Sequence, residues 1–239
     1  MSDNAERPSP FTRPGFIAAA IVIVIILVAG GIAVVSGLNS RATPHPTATE
    51  TSGPIGSPVD ESVCGLDGFE TESTLTAAPD NEWELVGTVA APTDPAIGPG
   101  VVADGFRSCF AHTTEGALFA TVNFLALGTD STTGPRLPDL VAAGPGRDAL
   151  LEQIANAGPG GSTSDVRGQI AGFKIGAYSS SAATVDLAIN FNDGRLASFP
   201  IKLTWEDGDW KIVLADDGSL PLSPAGLQSL GGYIPWGGA

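Results

Sequence analysis

Basic residues are scarce in this chain, and they are absent where acidic ones are densest. Eleven Lys and Arg stand against 26 Asp and Glu, a formal net charge of -15, and between Arg41 and Arg107 there is no Lys or Arg while eleven Asp and Glu occur. Such a surface repels phosphate backbones, which excludes nucleic acid as a partner through this region. It suits a solvated acidic face, with a basic partner or cations as the sharper alternative. Histidine is nearly missing too: His45 lies between Pro44 and Pro46 with no ligand partner nearby, leaving His112. No nucleophile with a base at motif spacing, no metal cluster and no phosphate loop can be found, so no catalytic, cofactor-binding or metal-binding residue is expected, and the chain is expected not to be an enzyme.

Cysteine is limited to Cys64 and Cys109. Neither belongs to a CxxC pair or stands beside a histidine cluster, which disfavours redox and zinc roles. An even pair in an extracytoplasmic domain is expected to form a disulfide. Closing that loop stabilises the fold by about 4 kcal/mol in the chain-entropy view.

What the chain has in plenty is one apolar run. Phe16 to Val35 reads FIAAAIVIVIILVAGGIAVV without a charge. At 1.5 Å per residue, Gly15 to Gly37 makes about 34 Å of helix, enough to cross a hydrocarbon core of about 30 Å. The run is longer than the core of a cleavable signal peptide and lacks an A-x-A end, so it reads as a retained anchor. Arg7 and Arg13 precede it and only Arg41 follows closely, which places the N-terminus in the cytoplasm and the bulk of the chain outside. The expected organisation is a cytoplasmic tail (1–15), a transmembrane helix (16–37), a Thr/Ser/Pro-rich stalk (38–58), an extracytoplasmic domain (59–218) and a Gly/Pro-rich apolar tail (219–239). A cytoplasmic tail so short cannot fold as an output domain, which disfavours a receptor-like sensor.

Within the outer domain, Trp83 to Val89 reads as one strand between Pro- and Gly-rich loops. Ala117 to Leu127 predicts a helix with Leu118, Thr121, Val122 and Leu125 on one face, N-capped by Thr113 or Thr114 with Glu115 in its first turn. A looser helical stretch is expected at Leu137 to Ala143 and a further helix at Arg147 to Asn156, ended by the Gly-Pro-Gly-Gly run. Gln169 to Tyr178, Ala183 to Phe191, Leu196 to Trp205 and Trp210 to Leu214 alternate in the manner of strands. Their connections, Ser179 to Ser181, Asn192-Asp193-Gly194 and Glu206-Asp207-Gly208, are those of tight hairpins. An α+β fold follows: helices packed on a curved antiparallel meander. Leu222, Leu227, Leu230, Tyr233, Ile234 and Trp236 give the tail too much apolar surface for a disordered end; it packs back on the domain or serves as a docking segment, and packing back is favoured.

Helices followed by a meander ending in LTWEDGDWKIV, with Trp205, Gly208 and Trp210 in a W-x-x-G-x-W hairpin, resemble the nuclear-transport-factor-2-like cone fold over residues 113 to 215. The anchor, the stalk, CGL at Cys64 to Leu66, TAAPDNEWELVGTVAAP at Thr76 to Pro92 and FRSCFAHTTEGALFA at Phe106 to Ala120 are similar to a group of uncharacterised actinobacterial membrane-anchored proteins. Some of these are linked with conjugation-type genes. Conjugation (type IV secretion) machines of Gram-positive bacteria use bitopic subunits with the same cone fold outside the membrane. The resemblance implies a non-enzymatic assembly module with protein partners in the cell envelope, and leaves oligomeric state open. Cone-fold enzymes use a pocket carboxylate with a Tyr or His partner. Here the tyrosines are Tyr178 and Tyr233, His112 precedes the first helix with a bond to a backbone carbonyl as an equal alternative to a pocket role, and Asp186 is expected on the solvated face of its strand. The alternative is a small-molecule binder or enzyme using the cone cavity.

Overall fold

The computed structural model describes residues 61–157 and 167–238. The expected cytoplasmic tail, anchor and stalk (1–58) and the Gly-Pro-Gly-Gly run lie outside them. Among the described residues no helix is long and apolar enough to cross a membrane.

The fold is α+β. Two hairpins, β1 (Glu82–Val86) with β2 (Val89–Thr93) and β3 (Val101–Ala103) with β4 (Phe106–Ser108), precede α1 (Thr114–Gly128). A 3-10 turn (Gly134–Leu140) and α2 (Pro145–Ala157) follow, and then β5 (Gly168–Ser179), β6 (Ala182–Phe191), β7 (Leu196–Glu206) and β8 (Asp209–Ile212). These four form the predicted antiparallel meander. Alternation places Val185, Leu187, Ile189 and Phe191 of β6 in the core. Register shifts between Ile170 and Gly172, and again between Ile175 and Ala177, insert one extra residue each into β5 and curve the sheet.

Three expectations need correction. Trp83 to Val89 is not one strand: the chain reverses at Gly87, whose φ of 58° favours glycine, and β2 returns along β1. The helical stretch expected at Leu137 to Ala143 is a 3-10 turn ending at Leu140, after which Val141 is extended and bridges Ile212. Pro135 and Pro138 fit this short turn better than an α-helix, because neither can donate a backbone hydrogen bond.

The third concerns α1, which is buried nearly all round and not along a single stripe. Leu118, Phe119, Ala120, Val122 and Ala126 are all in the core, while Leu125 is only partly buried. The sheet covers one side, and β1, β2 and β4 cover another. Its polar side chains tolerate this because each is satisfied locally: Thr121 Oγ1 donates to Ala117 O at 2.7 Å and Asn123 Nδ2 to Phe119 O at 2.9 Å. Thr113 is the N-cap, accepting from Gly116 N at 3.1 Å. Gly116 sits so close to Ala111 O that no Cβ would fit.

The C-terminal segment is part of the domain. β9 (Ala225–Leu227) pairs with β7 on the edge that β8 also uses. The chain then reaches the opposite edge of the sheet, where β10 (Ile234–Pro235) pairs with Gly172 and Phe173 of β5.

Candidate functional site

The two cysteines form a disulfide that ties the start of the described chain to the residue after β4, with Cα atoms 6.2 Å apart. Cys109 has a φ of 66°, sparsely populated for a residue with a side chain. Asp209 holds this backbone: Oδ2 accepts from Cys109 N at 3.0 Å, and Oδ1 from Phe110 N at 3.0 Å and Trp210 N at 2.9 Å. Burial pushes the Asp209 carboxyl up, against the opposing pull of Lys211 at 3.7 Å and the three amides. Sequence reasoning missed Asp209; its one signal is an Asp opening the strand after a tight turn.

His112 is fully buried beside this staple. Its ring stacks on Trp205 at 3.7 Å and meets the edges of Trp210 and Phe69, and Nε2 bonds Ser180 O. Those contacts fasten the β5–β6 turn to the β7–β8 hairpin and fit a structural role.

Five of the six large hydrophobic side chains most exposed among the described residues belong to the stretch ahead of α1: Val63 (69%), Phe69 (49%), Leu85 (76%), Val101 (41%) and Val102 (59%). Gly100 packs on Cys64 Sγ and Leu66, so the segment bearing Val63 and the strand bearing Val101 are clamped side by side. The acidic side chains here include Glu70, whose Oε2 accepts from Thr114 N at 2.8 Å and Thr114 Oγ1 at 2.7 Å. Burial works to raise the Glu70 carboxyl, but the Thr114 amide and the Thr74 and Thr114 hydroxyls outweigh it and hold it below its ordinary value.

A second feature is a groove of about 400 Å³ along the edge of β5 beyond β10, between Ser73 and Leu75 on one wall and Gly232 and Ile234 on the other, with Lys174 and Tyr178 on the strand itself. Lys174 and the bulge at Gly176 are devices that keep an edge strand from pairing further.

Asp186 contradicts its expected solvation. It is 7% exposed; Oδ1 accepts from Ser198 Oγ at 2.7 Å, and Oδ2 accepts from Tyr233 OH at 2.8 Å with Lys174 Nζ at 3.3 Å. The strand face is polar as read, but the returning tail covers it. Asp186 and Tyr233 therefore meet, on the outer side of the sheet and away from the core.

Between the sheet and α1 the space is filled by side chains. Trp236, 7% exposed, lies 4.7 Å from Trp83, 5.5 Å from Phe173 and 5.9 Å from Phe119 between ring centroids, and its Nε1 donates to Asn81 Oδ1 at 2.9 Å. Among the described residues no group of His, Cys, Asp and Glu is arranged to hold a metal ion.

No curated protein and no solved structure matches the chain. Residues 42–235 match one family along most of the chain, including the staple, both hairpins, the meander and β10. The chain belongs to that family, described as a domain of unknown function (DUF8175).

Proposed function

We propose that this protein is a non-enzymatic binding and assembly module, anchored in the membrane by residues 16–37 with its folded domain outside the cytoplasm, and that it serves as an accessory of a conjugation-type or other cell-envelope complex. One observation carries this reading. The space between sheet and helix, where a cone-fold enzyme would hold its substrate, is occupied by Phe119, Phe173 and Trp236, which leaves the outer surface for recognition. The disulfide supports an oxidising compartment. The order of helices followed by a four-stranded meander supports the cone-fold resemblance on which the envelope assignment rests.

The test is in-cell cross-linking of the tagged full-length chain followed by purification from membranes. Recovery of ATPase or channel subunits of a transfer machine is the expected result; recovery of the chain alone would overturn the assembly reading. A second reading, an extracytoplasmic small-molecule binder, draws on the groove beside β5, with Lys174 and Tyr178 at an apolar floor. It requires a ligand whose addition raises the melting temperature and whose effect is lost in Lys174→Ala.

A further inference from the structure

We propose that the returning segment, residues 225–238, is exchanged between two copies of this chain: β9 and β10 of one copy pair with β7 and β5 of the other, and Trp236 of one fills the slot of the other. The inference rests on the binding and assembly reading and names a second copy as one partner.

The seat is a peptide site that this structure shows filled from within the same chain. Ile234 and Pro235 lie on Phe173 and Gly172 of β5, Trp236 N donates to Ala171 O at 3.2 Å, and Tyr233 OH donates to Asp186 at 2.8 Å. The Trp236 ring fills the slot between Trp83, Phe119 and Phe173. Beyond it, Gly237 passes so close to Ile170 O, and Gly238 so close to the Trp83 ring, that neither has room for a Cβ. The seat therefore reads extended backbone, one indole and two residues without side chains, in that order. The same segment of a second copy matches it at every point.

The hold of the segment on its own domain is thin. β9 has three residues and β10 two, and within residues 219–238 Trp236 is the one buried residue. The meander from β5 to β8 pairs without it. The link from Asp216 to Pro224 is folded back by one turn, in which Asp217 Oδ1 accepts from Ser219 N at 2.9 Å and Gly218 N donates to Ala215 O at 2.8 Å. Pro221 and Pro224 favour extended backbone in the rest of it. Straightened, the link reaches about 30 Å, twice the radius of gyration of about 15 Å that a domain of this size has. Exchange remakes every contact of the seat in the partner and alters only the link.

Charge points to the same segment. Two chains of net charge -15 repel one another over most of their surfaces. Residues 218–238 carry no Asp, Glu, Lys or Arg, the longest such run among the described residues, so this part crosses to a like-charged copy without that cost.

The experiment uses the register of β9. Gly226 stands opposite Ala197 of β7, and a side chain added at Gly226 meets open space. Opposed residues of an antiparallel pair have Cα atoms about 4.5 to 5.5 Å apart, within disulfide reach. Two differently tagged full-length copies, one Gly226→Cys and the other Ala197→Cys, are co-expressed in the protein's own membranes. The expected product is a heterodimer joined through the two introduced cysteines. Its yield should be about ten times that of a control pair, Gly226→Cys with Leu151→Cys, because seating holds the thiols at an effective concentration that collision does not reach. A yield no higher than the control overturns the proposal. The unsubstituted chain in detergent micelles should also be a dimer by light scattering, a readout that no substitution can disturb. A monomer there overturns the proposal, as does a dimer in which the introduced cysteines do not join. Recovery of envelope proteins without that bond removes this partner and leaves the assembly reading standing; the bond without any envelope protein keeps the exchange and overturns that reading.

Discussion

Replacing Trp236 with alanine removes a side chain that three separate elements grip: Trp83 of β1, Phe119 of α1 and Phe173 of β5. Truncating a buried Trp to Ala costs about 3 to 5 kcal/mol, because the transfer energy of the ring is lost and a hole is left behind. That total includes the Nε1 bond to Asn81, worth about 1 kcal/mol. The measurement is urea unfolding of the full chain in detergent micelles, followed by tryptophan fluorescence. With a denaturant slope of about 2 kcal/mol/M, the midpoint should fall by roughly 1.5 to 2.5 M. Asn81→Ala isolates the hydrogen bond and should cost only about 1 kcal/mol, while Trp236→Phe, which keeps an aromatic ring in the slot, should fall between the two. A midpoint shift below about 0.5 M for Trp236→Ala would refute the reasoning. It would show that the tail rests on the domain without forming part of its core, and the interior would then be open to a ligand.

Replacing both Cys64 and Cys109 with serine opens a loop with a sequence separation of 45 and should cost about 4 kcal/mol, lowering the melting temperature by about 10 °C in calorimetry. Glu70 has a folded-state pKa below the ordinary 4.5, so its contribution to stability is present above pH 4.5 and lost as pH falls through the lower folded value; Glu70→Gln should flatten the acid limb of the stability profile there and reduce stability at neutral pH. Tyr233→Phe should cost about 1 to 2 kcal/mol by withdrawing a donor from buried Asp186, and a double-mutant cycle with Asp186→Asn should give a coupling above about 0.5 kcal/mol. Additive effects would mean that the tail is not held through this bond.

Local pattern sufficed for much of the fold. The meander was legible because alternation along β6 is strict and because Asp-Gly turns force tight reversals, and α1 because Thr113 caps an apolar run. Reading failed where a local signal was weak or shared. Trp83 to Val89 alternates like a single strand, and only the positive φ at Gly87 makes it a hairpin. Val101 to Ser108 carries too little periodicity to mark β3 and β4, which pair beside the disulfide.

The sequence by itself determined the strands and turns of the meander, the helices α1 and α2, the sign of the charge ahead of α1 and the presence of a long uncharged run, since these depend on neighbouring residues and on composition. Tertiary structure alone decided what is inside. Asp186 occupies a face that alternation correctly reads as polar, yet it is buried because residues distant in the chain cross to the opposite edge and bring Tyr233 onto it. Asp209 became a clamp on Cys109 because the β7–β8 hairpin meets the staple, and Trp236 became core because three elements far apart in sequence leave a slot of its size. Burial is a property of what packs against a residue, and no local pattern records a neighbour contributed from the other end of the chain.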